Sequence, residues 1–465
     1  MVEARGYSMK ISIENFTTCL LVLLFIISAV NRLTTIVGVL LFALAAILIL
    51  NSRSYANGIY IPKLIVYMLL FQNFSIGIGA RLTGNADETL SLLTQIPTLV
   101  ISLSYIHVFF KTRANKLSLV FYVYLLLCII QALQTNATYT VKLTYLRNFT
   151  IFFLSYEVGR YYINTSEKLN SFIVFFLRLA VVAGLYGLVG MWWGESFYQA
   201  MGVSEVGVAK QAFTFRHSVP GTFRTLVLGV WVNRLVSFYY EPVNFSYFIS
   251  LASLLSFVAK YKASWFVLLC NILTFGKGGL LVLMLSVFCL YIHRLFHKFS
   301  KKIIRKLIIV GSIIGVILLV LFIDIFFGND FGTANHYYGI ITGFQGVVKN
   351  PLGHGIGSAG NLLKTLENAK THAGMAISET GLINMMYQIG IIPALLFIAI
   401  LISMMKKAFV NYKTDRGQVW LLFSYMPMIL LIASVFQENT LSPQCIVPFM
   451  LFQGAANNVK KRESI

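Results

Sequence analysis

The segment RLVSFYYEPVN, residues 234–244, leads into an apolar run long enough to enter a membrane. It places an arginine (Arg234), an acid (Glu241) and a helix-starting proline (Pro242) at the mouth of that run. Proline suits the first turn of a helix because the N–H that it lacks has no partner there. Charged side chains next to lipid are costly, and those that occur are usually functional. The segment therefore predicts a membrane helix with a polar site at its first turn.

The composition places the whole chain in a membrane. Hydrophobic residues make up 58% of the 465 residues and charged residues only 11%, more apolar surface than a soluble protein of this length can bury. We predict an all-α polytopic membrane protein with a single integral membrane domain over residues 1–465. About fourteen apolar runs are candidate transmembrane helices: 16–30, 34–50, 59–78, 89–110, 117–134, 148–163, 171–192, 242–259, 263–275, 278–296, 307–326, 381–404, 419–437 and 442–456.

Basic clusters predict the orientation of these helices. If the spans alternate, every cluster falls on one side, which the positive-inside tendency identifies as the cytoplasm together with both termini. The net charge of +21 follows from this topology and does not imply nucleic acid as a partner. Two long segments, 193–241 and 327–380, then lie on the outer face, where long loops are usually functional. The clusters are Lys111-Arg113-Lys116, Lys260-Lys262, 298–306, 406–416 and Lys460-Lys461-Arg462.

The cysteines and acids predict neither a metal nor a cofactor. The five cysteines are scattered through apolar runs, and none forms a CxxC pair. Small core residues are their usual role in such surroundings. No acid pair of the DxD kind accompanies the outer segments.

Three later spans begin on the outer face with unusual chemistry. They start at Glu241-Pro242, at TFGKGG (274–279), where Lys277 lies among glycines, and at SETG (378–381). Helix N-termini bind anions because they carry free N–H donors and a partial positive charge. Arginine adds paired planar donors for phosphate oxygens. With Arg216, Arg224 and Arg234 in the preceding loop, these starts predict a diphosphate site that side chains neutralise.

Simpler interpretations of the same residues stay open. Arg216 and Arg224 can bind lipid headgroups or solvent. The glycine run around Lys277 can be a tight turn between two short helices. Glu241 can be an acid that the helix dipole favours at a helix start.

Four motifs, in order along residues 200–405, resemble those of bacterial polysaccharide polymerases of the Wzy type, in the O-antigen ligase-like superfamily. The segment Arg234 to Asn244 is similar to the family's arginine followed by a Pro-x-Asn helix start. LTFGKG (273–278) resembles its Leu-Thr-x-Ser-Arg/Lys-Gly turn, with glycine in place of serine. NPLGHGIG (350–357) resembles its Pro-x-Gly-x-Gly-x-Gly loop, and 379–391 resembles the start of its next helix.

Two departures from the family pattern are informative. The ligase branch has a histidine at the position that Glu379 occupies here, counted back from Gly390, and Glu-Ser/Thr at this position is typical of the polymerases. The Arg-x10-Gly motif described for some polymerases does not follow Arg216, Arg224 or Arg234. The roles of the individual arginines therefore stay open.

The resemblance implies a GT-C-like architecture in the bacterial cytoplasmic membrane and an active site that faces outward. It implies inverting glycosyl transfer between oligosaccharide repeat units carried on polyprenyl diphosphate, for O-antigen, capsule or exopolysaccharide. The lipid-linked oligosaccharide is both donor and acceptor, membrane lipid surrounds the chain, and a chain-length regulator protein is a candidate partner. The resemblance also implies that Arg234 binds the diphosphate, assisted by Arg216, Arg224 and Lys277. Glu379 or, failing that, Glu241 or His372 would accept the proton of the attacking hydroxyl.

Four further residues are candidates for substrate binding: His354, Asn244, Tyr240 and His336. The aromatic residues around His336 either stack on sugar rings or anchor a loop at the interface, and His354 either lines the site or serves its glycine-rich loop. Two other functions stay open. A ligase would transfer finished glycan, and the missing histidine argues against it. A transporter or flippase for the same lipids would need charges along a central path. Arg178, within a span, favours a transporter. The unusual charges are expected on the outer face, which favours an enzyme.

Overall fold

The structure is a computed structural model of the chain, and it describes residues 16–52, 58–84, 89–209, 223–227, 230–296, 331–360, 380–415 and 417–458. Most of this backbone is helical, as predicted, and one antiparallel hairpin, β1 (Arg224–Val227) with β2 (Val230–Asn233), is the exception to the all-α prediction. The helices are α1 (Phe16–Ser28), α2 (Arg32–Asn51), α3 (Tyr60–Thr83), α4 (Leu90–Leu93), α5 (Ile96–Lys111), α6 (Lys116–Leu133), α7 (Tyr139–Tyr162), α8 (Ser166–Trp193), α9 (Glu195–Ala200), α10 (Val203–Ala209), α11 (Pro242–Val258), α12 (Ser264–Leu273), α13 (Lys277–Phe296), α14 (Phe331–Lys349), α15 (Gly381–Ile389), α16 (Ile391–Asp415), α17 (Gln418–Phe436) and α18 (Pro443–Ala456).

The long helices identify a multi-pass membrane protein. Among the described residues, eight helical segments are long and apolar enough to cross a membrane: α2, α3, α4 with α5, α6, α8, α13, α16 and α17. The apolar helices α1, α11 and α12 are shorter. The predicted spans within the described ranges fall on helix, but two of them are divided: 89–110 at residues 94–95, and 381–404 at Gly390. The span 307–326 lies outside the described residues. The number of crossings and the GT-C-like architecture stay predictions.

The helix α18 lies at the centre of the bundle. Every one of its residues except Gln444 is buried, which is typical of a helix surrounded by protein on all sides. It packs lengthwise against α7, where Gly159 meets the backbone of Leu451 and Gly454 meets the backbone of Tyr156. Small residues let membrane helices approach closely. These two glycines therefore set the spacing of the central helix pair.

The segment between β2 and α11 descends into the bundle beside α8. The hydroxyl of Ser237 donates to the carbonyl oxygen of Ala183 (2.7 Å), and Gly187 gives space to Leu235. Ala183 lies ten residues before Trp193, where α8 ends. At a rise of 1.5 Å per residue, Ser237 lies about 15 Å below that end of α8. The mouth of α11 is therefore recessed below the end of the longest helix of the described chain.

The glycine-rich loop after α14 holds the broken helix α15–α16 in place. Gly353, Gly355, Gly357 and Gly360 all have φ between +86° and +99°, which favours glycine. The N–H groups of residues 354 and 355 donate to carbonyl oxygens at the end of α15, and the N–H of Ile356 donates to the carbonyl oxygen of Gln131. The loop therefore joins the end of α15 to α6.

Replacing Gly454 tests the central helix contact. In Gly454→Val the new side chain would overlap the carbonyl oxygen of Tyr156, which is backbone and cannot move aside. Overpacking of this kind typically costs about 1–3 kcal/mol. We expect a lower apparent melting temperature in detergent, whereas Leu143→Val, at an exposed position of α7, should change it little. Equal melting temperatures for the two variants would contradict this contact.

Candidate active site

Four helix N-termini meet at one short turn at the recessed end of the bundle. The 3-10 turn Glu438–Leu441 connects α17 to α18, and it packs against α7, α11, α15 and α18. Gly278, in the first turn of α13, packs against the side chain of Gln437, the residue before the turn. The starts of α11, α13, α15 and α18 therefore surround the turn, and each adds a partial positive charge and free N–H donors.

Arg234 binds the backbone that leads into α13. Its Nε donates to the carbonyl oxygen of Thr274 (2.8 Å) and its Nη2 to that of Phe275 (3.3 Å). The N–H of Leu235 donates to the carbonyl oxygen of Leu273 (2.9 Å). These carbonyls end α12, so the guanidinium compensates the negative end of one helix and lies directly before Lys277, where the next helix begins. The structure therefore brings the first two predicted helix starts together.

Two glycines make this approach possible. A Cβ at Gly276 would overlap the side chain of Ser246, and a Cβ at Gly279 would overlap its carbonyl oxygen. Residues 274–276 connect α12 to α13, and Gly278 and Gly279 lie in the first turn of α13. This connection places Lys277, which is half-buried, beside the mouth of α11.

Glu241 connects the mouth of α11 to the Glu438–Leu441 turn. Its Oε2 accepts from Nδ2 of Asn244 (2.6 Å), and its Oε1 accepts from Nδ2 of Asn439 (2.6 Å). Asn244 is buried and also contacts Gln444 and Cys445 of α18. The carboxylate, half-buried, is therefore oriented by two amide donors from different helices.

Glu438 lies where α7, α15 and the glycine-rich loop meet. Its Oε1 accepts from the hydroxyl of Tyr145 (2.8 Å), and its Oε2 lies 3.5 Å from Nδ2 of Asn384. A Cβ at Gly360 would lie 2.7 Å from Oε1, and a Cβ at Gly381 would lie 3.3 Å from the Glu438 Cα. The start of the third predicted helix, α15, is therefore held against this acid.

Backbone strain is concentrated at the same place. Four non-glycine residues of the described chain have positive φ, and three of them are Ser237 (59°), Tyr240 (54°) and Phe275 (47°); the fourth is Lys260. Such conformations cost of order 1–3 kcal/mol each and cluster at functional sites. The three positions flank Glu241 and Lys277. They shape the surface formed by the starts of α11, α13, α15 and α18 around the Glu438–Leu441 turn, which we call the floor of the site.

The remaining predicted residues differ in their surroundings. Arg224 is exposed on β1, where it pairs with Asn233. Tyr240 is buried and donates to the carbonyl oxygen of Met201 (2.7 Å). This bond ties the α9–α10 segment to the mouth of α11.

His354 has the structural contacts that the simpler interpretation expects. Its ring stacks on Tyr387 with centroids 4.0 Å apart, and its Nε2 lies 3.3 Å from the carbonyl oxygen of Gly346. In these contacts the His354 side chain helps to hold the glycine-rich loop against α14 and α15. Substrate binding by His354, Asn244 and Tyr240 stays a prediction.

Several predicted residues lie outside the described part of the chain. These are Arg216, His372 and Glu379; Thr380, which follows Glu379, is the N-cap residue of α15. His336 belongs to α14, in a part of that helix whose side chains are not described. Among the described residues, no three His, Cys, Asp or Glu side chains come together as they would to hold a metal ion.

Sequence reasoning missed Glu438 and the fourth helix start. The signal was the polar run QENT (437–440) between two apolar runs, followed by Ser442-Pro443, a helix-start pattern like that of Glu241-Pro242. Because a short polar run between spans is the usual sequence of a plain connection, its proximity to Glu241 and Lys277 was not evident.

Replacing Glu241 tests its connecting role. Glu241→Leu removes both bonds to the amides, and hydrogen bonds to a charged group contribute about 1.5–3 kcal/mol. We expect a clear drop in apparent melting temperature, and a smaller one for Glu241→Gln, which keeps one acceptor oxygen. Glu195→Leu, at an exposed acid bonded to Gln199, is the matched control and should have little effect. A melting temperature of Glu241→Leu equal to that of the control would show that the carboxylate does not join α11 to the turn.

Comparison with known proteins adds no relative. No family model matches the chain, and neither a curated protein nor a solved structure matches it. The Wzy-type resemblance therefore rests on the motifs of this sequence alone.

Proposed function

We propose that the chain is a polysaccharide polymerase that joins oligosaccharide repeat units carried on polyprenyl diphosphate, by inverting glycosyl transfer that needs no metal ion. The reaction takes place on the outer face of the bacterial cytoplasmic membrane. The observation that carries the proposal is the meeting of Arg234, Lys277 and two glutamates at a recessed floor built from helix N-termini.

The cationic side of this floor suits a diphosphate leaving group. Negative charge grows on the diphosphate as the glycosidic bond to it breaks. Preorganised donors aimed at developing charge usually supply the largest catalytic contribution. Arg234 is fixed by two backbone carbonyls, and Lys277 lies in the first turn of α13. Both cations are thus in place before the charge develops, and Arg216 and Arg224 of the same outer segment would assist them.

The depth of the floor suits a lipid-linked substrate. The helix α12 has ten residues and is about 15 Å long, half the thickness of a hydrocarbon core of about 30 Å. If Lys260 and Lys262 lie at one membrane surface, the turn at Lys277 lies well inside the membrane. A diphosphate attached to a polyprenol can then reach the cations while its lipid stays among acyl chains.

The carboxylates suit proton transfer. In the proposed step an acceptor hydroxyl oxygen bonds to the anomeric carbon of the growing chain, and the bond from that carbon to the phosphate oxygen breaks. A carboxylate takes the hydroxyl proton, and polyprenyl diphosphate leaves as an anion. Glu438 joins Glu379 as a candidate for this base, because Tyr145 and Asn384 orient it at the centre of the site. Glu241, held by two amides, fixes the turn that carries Glu438.

A ladder assay tests this function. Purified protein in lipid nanodiscs, given lipid-linked repeat units, should produce a ladder of lengthened chains without added nucleotide sugar. Arg234→Gln should slow ladder formation by about 10²–10³-fold, since it removes a donor to the leaving group. The variants Glu438→Gln and Glu379→Gln compare the two candidate bases. Loss of the base should lower the rate of ladder formation by about 10²–10⁴-fold. Arg178→Gln and Glu195→Gln, at exposed positions, are the matched controls.

The outcomes separate the competing functions. A transporter would move the lipid-linked unit across a liposome membrane and leave its length unchanged. A ligase would transfer finished glycan to a different acceptor and build no ladder from single units. A normal ladder from Arg234→Gln, or no ladder from the folded parent protein, would refute the polymerase proposal.

A further inference from the structure

We propose that Arg147 forms a second anion site, which holds the diphosphate of the acceptor while the Arg234 floor holds that of the donor; this inference rests on the proposed function. Arg147 lies in α7, two residues after Tyr145, which contacts Glu438. Nothing in the sequence motifs singles it out.

The guanidinium of Arg147 is held in place by neutral groups. Its Nε and Nη2 both donate to Oδ1 of Asn148, at 3.1 and 2.9 Å, and its Nη1 donates to Oε1 of Gln95. Throughout the described chain, these are all the hydrogen bonds of its side chain, and none goes to a carboxylate. Amide oxygens orient the group and leave its full positive charge uncompensated.

A half-buried cation of this kind is costly in a membrane protein. Charged side chains in the apolar region are usually paired or line a water-filled cavity or substrate path. Two other arginines of the described chain have acidic partners: Arg81 pairs with Glu205 (3.0 Å), and Arg160, on the same helix as Arg147, pairs with Glu157 (2.5 Å). Arg147 differs from both, and an anionic ligand would supply the missing negative charge.

A helix start lies beside the guanidinium. Gln95, its amide partner, is the N-cap residue of α5, a helix of 16 residues. The first turn of that helix, in which Pro97 has no N–H, favours an anion at the same position. A phosphate bound there would receive donors from a planar guanidinium and from backbone, the combination that suits phosphate oxygens.

The position of Arg147 relative to the floor fits a second substrate. Residues two apart on a helix point about 200° apart, so Tyr145 faces Glu438 while Arg147 faces the opposite side of α7. Arg147 is then separated from Glu438 by about one helix diameter, roughly 10 Å, and the Arg234 floor lies on the Glu438 side. A polymerase binds two substrates with the same diphosphate carrier, and the attacking hydroxyl of the acceptor lies in its sugar chain, away from its own diphosphate. Two separate anion sites on either side of Glu438 satisfy this geometry.

Binding stoichiometry tests the inference. The probe is geranylgeranyl diphosphate, measured by native mass spectrometry on the full-length protein, with geranylgeraniol as the neutral control. The parent protein should bind two molecules, whereas Arg147→Gln and Arg234→Gln should each bind one and the double variant none. Arg147→Lys, which keeps the charge and loses the planar fork, should bind the second molecule with intermediate affinity. Arg178→Gln is the matched control and should bind two.

Each outcome decides a different question. Two molecules bound to folded Arg147→Gln would overturn the second site. One molecule bound to the parent protein, lost in Arg234→Gln and kept in Arg147→Gln, would overturn the second site and leave the proposed function intact. No binding to the parent protein would remove both. If phosphatidylglycerol at equal concentration displaces the molecule that depends on Arg147, the site is a phospholipid headgroup site and the acceptor role is wrong.

Discussion

The pair of bonds from Arg234 to the carbonyl oxygens of Thr274 and Phe275 is the interaction on which the junction between α12 and α13 depends. A helix that ends inside a membrane protein leaves its last carbonyls without partners, and each unsatisfied group costs several kcal/mol in an apolar environment. The guanidinium satisfies these carbonyls and places a cation at the same point. The chain can therefore end α12 after ten residues and begin α13 at Lys277 within the protein.

The charged groups around this floor are oriented by amides and hydroxyls. Glu241 accepts from Asn244 and Asn439, Glu438 accepts from Tyr145, and Arg147 donates to Gln95 and Asn148. At Arg147 the neutral partners fix the direction of the guanidinium and leave its charge uncompensated within the described chain. Away from the floor the arrangement differs, because Arg81 and Arg160 bind carboxylates directly. Under the proposed function, Arg81 and Arg160 would hold the fold and Arg147 would be kept for substrate.

Hydropathy and helix-start chemistry predicted much of this fold. Long apolar runs gave the helices, and Glu241-Pro242 and the glycines around Lys277 marked two of the N-termini that meet. The glutamate at 438 could not be found in the same way, because its importance depends on which helices pack together. That packing is set by close backbone contacts such as Gly159 with Leu451, which have no signature in hydropathy. Tyr240 shows the same limit, because its position at a helix mouth did not reveal that its hydroxyl bonds to Met201.

The recessed position of the segment before α11 and the strain in its backbone have the same cause. Irregular backbone is tolerated at membrane depth only where protein or a water-filled cavity surrounds it. The segment before α11 meets that condition by lying against α8, through the bond of Ser237 to Ala183, and it adopts positive φ at Ser237 and Tyr240 to do so. In return, Glu241 and Arg234 act in surroundings less polar than water, where charge–charge and hydrogen-bond interactions are stronger. In the proposed reaction, a diphosphate that enters this recess would give up hydration and gain fixed donors, and those donors would favour its departure as an anion most.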